Sequence, residues 1–325
     1  VLPNRQAGDG TLAVIDRFFT DVVTRFFVPS GNLNGQLRTQ GEIGDSGFSS
    51  NPQDFIFVDS SSAWVPRYES NLSAQATPEN QGNDLFEVNP SDMSATGDRI
   101  DLSPLDTTAA VGNENGAVEV DVFARPSRGV LVGSTIVVGL DRISANFDAA
   151  GPGMVAVVDL DDASVEGLEL PGLESCGRTV PVPGEPSKVV VACVGFAQPF
   201  GDEPQVRASS GIALLGVGEN GAVIEEVWRV ADDPMSAIAV NAVIAIDARR
   251  VLGVASGDFA TTSDRLYVID LETGAQELVL ESTGSFVIGE PAYDPQSEML
   301  YVPDAAENAV LEFAADEGGF VELGS

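Results

Sequence analysis

The sequence predicts an all-β protein, and three observations support this class. Short runs of Val, Ile, Leu and aromatic residues recur along the 325 residues and are bounded by Gly, Pro, Asn and Asp. No stretch sustains a long helical period. Similar strand phrases also return along the chain. Together these features indicate a single β-propeller of four-stranded antiparallel blades.

The repeated phrase is a short apolar strand that mostly ends in a polar residue. Its six copies lie at residues 11–16, 84–89, 154–159, 211–216, 265–270 and 308–313. The first and last copies end 313 − 16 = 297 residues apart, so the mean spacing is about 59 residues, which suits a blade plus insertions. With strands named A to D from the inside outward, we interpret these copies mostly as strand C.

Six blades are recognisable in one domain covering residues 1–325, and seven is the alternative count. We place the blades at residues 1–28, 48–105, 118–171, 180–231, 236–282 and 286–323. The fourth blade departs most from the pattern, because Gly216 replaces the polar end of strand C. The first blade lacks strand A, which missing flanking residues or the far terminus must supply, because an unpaired edge promotes aggregation.

Most of the chain carries a family resemblance, which is clear in the second, fifth and sixth blades. In the second, NPQDFIFVD (residues 51–59), AWVPRYESN (63–71) and DLFEVNP (84–90) resemble the blade phrase of the YVTN-type (surface-layer-like) β-propeller repeat proteins. In the sixth, GEPAYDP (289–295), MLYVPD (299–304) and AVLEF (309–313) resemble it as well. The resemblance implies an exported or surface-attached propeller, seven-bladed in many members, that binds rather than catalyses. Some relatives are surface lipoproteins that capture a nutrient beside an outer-membrane transporter.

Composition excludes several classes of function. The chain has 16 Lys and Arg residues, 50 Asp and Glu residues, no histidine and a net charge of −34. Without histidine there is no Ser-His-Asp or Cys-His catalysis and no imidazole-bound metal. The GDSG phrase at residues 44–47 is therefore no protease nucleophile. The negative charge disfavours nucleic acid and anionic membranes and favours cations and cationic partners.

The two cysteines bear on location. Cys176 and Cys193 are 193 − 176 = 17 residues apart, and we predict that they form a disulfide. In an exported protein this bond is worth about 3 kcal/mol by loop entropy; two buried thiols are the alternative. No apolar run is long enough for a transmembrane segment. We expect an extracytoplasmic protein, whether periplasmic, secreted or surface-anchored, whose targeting segment has been removed or omitted before Val1.

Loop lengths predict the binding surface. In a propeller the B–C and D–A connections share one face, and the long predicted connections are nearly all of these two kinds: residues 29–47, 72–83, 103–118, 143–153, 196–209 and 257–264. Repeat proteins often bind at such a face, whereas tolerated loop growth is the alternative. Aromatic anchors flanked by Arg and carboxylates are typical of recognition surfaces, although solvated loops contain them too. The candidates are Arg67, Tyr68, Asp141, Arg142, Phe147, Phe196, Phe200, Asp258, Phe259 and Asp304.

The leading hypothesis is an exported, non-catalytic propeller that binds a ligand or protein partner, such as an outer-membrane or surface component, in nutrient capture or cell-surface assembly. The alternative is a lactonase or hydrolase that uses carboxylates and calcium, the cofactor that 50 acidic residues would suit. A third hypothesis is a structural module of a surface layer. No catalytic residue and no set of metal ligands is assigned.

Overall fold

A computed structural model describes residues 1–40, 48–113, 116–197, 203–219, 221–230, 242–255, 263–316 and 319–324. The chain divides into two compact units, unit 1 (Val1–Glu169) and unit 2 (Leu170–Ser325). Both are built from antiparallel strands, and the fold is a β-propeller, as the sequence predicts. The prediction of a single domain stays a prediction.

The strands of unit 1 vary in length from two to eight residues. They are β1 (Thr11–Asp16), β2 (Val22–Phe27), β3 (Leu33–Arg38), β4 (Ile56–Phe57), β5 (Ala63–Ser70), β6 (Gly82–Asn89), β7 (Ser94–Asp101), β8 (Thr107–Asn113), β9 (Gly116–Phe123), β10 (Pro126–Val132), β11 (Thr135–Leu140), β12 (Ile143–Ser144), β13 (Met154–Asp159) and β14 (Val165–Glu169).

Unit 2 contains strands and one short helix, α1 (Glu203–Ser209), within its described residues. The strands are β15 (Arg178–Val182), β16 (Glu185–Cys193), β17 (Gly211–Gly218), β18 (Gly221–Arg229), β19 (Ala242–Ala245), β20 (Arg250–Ala255), β21 (Arg265–Asp270), β22 (Gln276–Glu281), β23 (Ala292–Asp294), β24 (Met299–Asp304), β25 (Ala309–Asp316) and β26 (Gly319–Gly324).

Over the described residues the strands form seven sheets, which fits the alternative count of seven blades. Six sheets overlap the predicted blades, although the first extends beyond residue 28: β1–β3, β4–β7, β10–β11–β13–β14, β15–β18, β19–β22 and β23–β26. The seventh has the order β12–β9–β8 and is assembled differently. Its hairpin, β8 and β9, follows the second sheet, and β12 comes from the connection between β11 and β13. Two segments predicted as loops, residues 103–118 and 143–153, therefore meet in one small sheet.

The first sheet corrects the sequence prediction by one strand. Residues 11–16 are followed by two further strands, β2 and β3, so they occupy position B and not position C. The connection predicted over residues 29–47 contains β3, whose sequence LNGQLR is largely exposed. An exposed outer strand carries little apolar alternation, so its sequence resembles a loop.

The N-terminal segment covers the inner edge of β1, which the sequence analysis leaves open. Val1 and Ile15 exchange backbone hydrogen bonds of 2.8 and 2.9 Å. Farther along, the Asn4 backbone N–H donates to Asp54 Oδ1 at 3.0 Å, and Asn4 Nδ2 donates to the Gly129 carbonyl at 3.1 Å. This segment therefore contacts three sheets of unit 1.

Apolar packing between neighbouring sheets stabilises each unit. The inner strands are buried and the outer ones are exposed: β13 is buried at its four central positions, whereas β14 has no buried residue. In unit 1, one cluster joins the first and second sheets and another joins the second and third. In unit 2, two clusters join its three sheets in the same way. Because each buried Val, Leu, Ile or Phe contributes about 1.5–3 kcal/mol, these clusters supply most of the stabilisation.

Candidate functional site

The B–C and D–A connections of unit 1 meet at one end of its sheets, which we call the loop end of unit 1. Two residues at the start of a C strand, Asp21 just before β2 and Asn83 near the beginning of β6, fasten them. Asp21 Oδ1 accepts the Asn51 N–H, and Asn83 Oδ1 accepts the Arg125 N–H, both at 2.8 Å. Asp21 and Asn83 have left-handed φ values of 50° and 53°, which short polar side chains tolerate. The loop end comprises residues 17–21, 48–55, 71–81, 102–113, 116–125 and 141–153, together with the strand residues that flank them.

Arg125 lies buried at the centre of the loop end of unit 1. Its guanidinium carbon lies 4.9 Å from the ring centroid of Tyr68 and 4.5 Å from that of Phe147. Nη1 donates to Glu69 Oε2 at 2.8 Å, while Nε and Nη2 donate to the two carbonyls of β12. A desolvated cation–π contact is worth about 2 kcal/mol. One side chain therefore joins β5, the second D–A connection and the B–C connection that carries Phe147.

Tyr68 and Asp141, two predicted residues, form a hydrogen-bonded pair beside Arg125. The Tyr68 phenol donates to the Asp141 carboxylate. Burial raises the pKa of Tyr68 well above its ordinary value of 10.0, and the charge of Asp141 raises it further, whereas Arg125 opposes this rise. The phenol therefore keeps its proton at neutral pH and serves as a donor rather than a nucleophile.

Polar contacts connect Arg125 with the first B–C connection. The Glu69 carboxylate accepts from Arg125 through Oε2, and its Oε1 lies 3.5 Å from Asn51 Nδ2, the length of a weak hydrogen bond. Asn51 Oδ1 in turn accepts from Arg17 Nε at 3.0 Å. The connections of three sheets are thus linked through side chains.

Two adjacent phenylalanines project from the first B–C connection. Phe18 is 54% exposed and Phe19 is 72% exposed, with ring centroids 6.3 Å apart. Both have positive φ, 38° and 63°, a strained conformation for a bulky residue. The connection is anchored on either side, because the Phe19 N–H donates to Ser49 Oγ at 3.0 Å and the buried Asp21 carboxylate accepts three hydrogen bonds. The structure therefore holds both rings toward solvent at a cost in backbone strain.

The predicted residues Arg67 and Arg142 lie in the interior of unit 1. Arg67 pairs with Asp84 through Nε at 2.7 Å and through Nη2, and its Nη1 donates to two backbone carbonyls. Arg142 likewise donates to two backbone carbonyls, at 2.9 and 3.2 Å. Burial lowers the pKa of Arg142, and the charges of Glu169 and Asp106 oppose this. Both arginines position connections, and the binding role predicted for them stays untested.

Unit 2 contains the remaining predicted residues. Asp304 is buried and accepts from the Ser282 hydroxyl at 3.0 Å and from the Ala306 N–H at 2.8 Å. Phe196 is half-buried, and its N–H donates to Ser209 Oγ at 3.0 Å. Phe200, Asp258 and Phe259 lie outside the described residues. The described candidates of unit 2 thus share no contact network like that around Arg125.

The predicted disulfide between Cys176 and Cys193 is confirmed. It joins the segment before β15 to the end of β16, and both cysteines are buried. Across the residues that the structure describes, no three Asp, Glu or Cys side chains are grouped so as to hold a metal ion, so calcium remains an untested prediction without a ligand set. No helix in the described parts of the chain is both long and apolar enough to cross a membrane.

Sequence reasoning missed five residues of the loop end: Phe18, Phe19, Asn51, Glu69 and Arg125. The displaced strand assignment in the first sheet puts residues 17–21 on a C–D turn, and this hides the phenylalanine pair. The sequence nevertheless contained a local indication of exposed aromatic residues, because two adjacent Phe residues lie in a predicted turn between Asp16 and Asp21. Arg125 gave no such signal, because its burial depends on rings from two distant segments.

The sheets and their order define the class of this protein, a β-propeller. No family model matches the sequence, and no curated protein matches it, so the resemblance to the YVTN-type family stays a prediction. Among solved structures, a 6-phosphogluconolactonase-like protein from Bacteroides fragilis superposes with a TM-score of 0.60 at 10% identity, covering 99% of this chain and 82% of that one. BamB from Moraxella catarrhalis gives a TM-score of 0.50 at 11% identity, covering 98% and 75%. At such identities the likeness shows the fold alone.

Proposed function

We propose that this chain is an exported, non-catalytic binding protein that holds a protein partner at the loop end of unit 1. The observation that carries the proposal is the phenylalanine pair Phe18 and Phe19, displayed on a strained and anchored connection. We expect the partner to present an apolar pocket for the two rings, with basic side chains around the edge of the pocket.

The energetics favour the phenylalanine pair as the anchor. Binding hot spots are typically aromatic, and burying a Phe side chain contributes about 1.5–3 kcal/mol. Because Asp21 and Ser49 already fix the connection, little conformational entropy is lost when the rings enter a pocket. Preorganisation of the two rings also gives a functional reason for the strained backbone at both positions.

Charge supports a basic partner. The chain carries a net charge of −34, and Asp16, next to the anchor, is exposed. Such a field accelerates association with cationic surfaces and repels anionic ones. The rim of the partner's pocket should therefore contain Lys or Arg.

The polar groups behind the anchor support a binding role and not a catalytic one. Tyr68 keeps its proton, and each nitrogen of the Arg125 guanidinium already donates to a protein oxygen. No histidine exists in the sequence to act as a base. The buried disulfide in unit 2 supports export, because such bonds persist in oxidising compartments.

Site-specific photo-crosslinking in the source cells tests the proposal. A photoreactive phenylalanine analogue replaces Phe19, and the matched control replaces Phe27, which is 45% exposed at the opposite end of β2. We expect one discrete adduct from position 19 and none from position 27. The identified protein, once purified, should bind the Phe19→Ser variant at least about tenfold more weakly than the wild type.

Two results would contradict the proposal. Equal adducts from both positions, or none from position 19, would show that the phenylalanine pair anchors nothing. Turnover in a substrate screen that is lost in Asp141→Asn would favour the hydrolase alternative instead.

A further inference from the structure

Strand β8 forms an open edge of the small sheet β12–β9–β8. It is seven residues long and pairs with β9 without a register shift over its described residues. Within the parts of the chain that the structure describes, no backbone hydrogen bond reaches its other edge. Thr108, Ala110 and Gly112 are exposed, and the residues between them are half-buried. The edge is therefore long, regular and accessible.

Comparison with the outer strands of the other six sheets shows what β8 lacks. Each outer strand (β3, β7, β14, β18, β22 and β26) contains at least one charged residue, and β8, with the sequence TTAAVGN, contains none. Five of the six also have a register shift against their neighbour, the exception being β14. Charges and bulges are the usual devices that prevent an edge from pairing with another chain. At least one of these devices is present on each of the six outer strands, and both are missing from β8.

The register identifies which groups of β8 face outward. Asn113 pairs with Gly116, so two residues connect the strands, and in such a hairpin the pair next to the connection exchanges both hydrogen bonds. Alternation along the ladder then directs the N–H and C=O groups of Val111 and Ala109 toward β9. Those of Ala110 and Thr108 face away from it and are available to a further strand.

We propose that β8 receives an extended, basic segment of a partner protein as an added strand. Main-chain hydrogen bonds would supply the affinity, as in other complexes formed by strand addition. The exposed acidic residues Glu119 and Asp121 lie on the adjacent strand β9 and would attract a segment that carries Lys or Arg on one of its faces. A second copy of this chain fits less well, because each copy carries a charge of −34. This surface is separate from the phenylalanine pair and does not depend on the function proposed for it.

A labelled nine-residue peptide, KVTVKVTVK, serves as the probe, and fluorescence anisotropy measures its binding to the full chain. Ala110→Pro removes an outward N–H without touching the ladder to β9, and Ala110→Thr is the matched control that keeps this N–H. We expect Ala110→Pro to weaken binding at least about tenfold, while Ala110→Thr and Phe19→Ser leave it unchanged. Hydrogen exchange on the wild type should show slower exchange at Thr108 and Ala110 when the peptide is added.

Each other outcome overturns the proposal. Equal binding by Ala110→Pro, with no added protection in β8, would mean that charge alone attracts the peptide. No binding of the peptide to the wild type would mean that the edge accepts no basic strand. A dimer of the wild type that dissociates in Ala110→Pro would assign the edge to a second copy of this chain. A change caused by Phe19→Ser alone would place the peptide at the phenylalanine pair.

Discussion

Arginines join several segments at the loop end of unit 1, where the Asp21 carboxylate also accepts hydrogen bonds, whereas carboxylates and a disulfide fasten the described connections of unit 2. In unit 1, Arg67 and Arg125 each bind a carboxylate and backbone carbonyls; Arg67 also contacts one aromatic ring, and Arg125 contacts two. In unit 2, the buried Asp264 accepts three successive backbone N–H groups, from residues 286, 287 and 288, at 2.7–2.9 Å. The Cys176–Cys193 bond adds a covalent link.

This difference shows how side-chain chemistry sets what a connection can do. A guanidinium has five donors and two stacking faces, so one arginine can join three segments. A carboxylate only accepts, and Asp264 accepts the N–H groups of three successive residues, 286–288. Unit 1 therefore builds a rigid platform behind Phe18 and Phe19, while unit 2 secures its connections one at a time.

Removing Arg67 should have the largest effect. Arg67→Leu leaves Asp84 buried beside Arg99 alone, and breaking such a pair costs about 3–5 kcal/mol. Unit 1 contains Trp64 and unit 2 contains Trp228, so single-tryptophan variants report urea unfolding of each unit. We expect the unfolding transition reported by Trp64 to move to a lower urea concentration.

The control is Arg249→Ala, which removes an exposed ion pair in unit 2 and should lower the free energy of unfolding by less than about 1 kcal/mol. Equal shifts in the two variants would contradict a structural role for Arg67.

Removing the disulfide should have the next largest effect, which is a loss of stability in unit 2. The Cys176→Ser, Cys193→Ser double variant loses a cross-link that spans 17 residues, worth about 3 kcal/mol by loop entropy. The Trp228 transition should shift and the Trp64 transition should stay. A shift of both transitions by the same amount would show that the units do not unfold separately.

The smallest effect concerns Tyr68 in alkaline solution. Its pKa is raised in the folded state, so above pH 10 the unfolded chain loses a proton that folded Tyr68 keeps, and stability falls as the pH rises. The loss is at most about 1.4 kcal/mol per pH unit. Tyr68→Phe should flatten this decline in the Trp64 transition between about pH 10 and 11. An unchanged pH dependence would mean that Tyr68 ionises normally.

Sequence reasoning reached the strands that carry a strong apolar pattern. The C strands of the second to sixth predicted blades were identified because short apolar runs mark them, as in β13, whose four central residues are all buried. Strand β3 is exposed and β8 is uncharged and small, so neither carries that pattern. The long B–C and D–A connections correctly indicated the region that contains Tyr68, Asp141 and Phe147. The face on which a connection lies follows from the order of the strands, which the sequence pattern predicts. The role of Arg125 depends on contacts across 56 residues to Glu69, which no local pattern encodes.

The N-terminal segment has a consequence for the order in which unit 1 folds. Most contacts of this unit are hairpins between sequence neighbours, which close quickly. Asn4 instead binds partners 50 and 125 residues away, and such long loops close late. The N-terminal segment therefore docks fully only after the region around Gly129 has folded. Until then only contacts close in sequence, such as those of Val1 with Ile15, protect the inner edge of β1, and a chaperone has its best opportunity to act there.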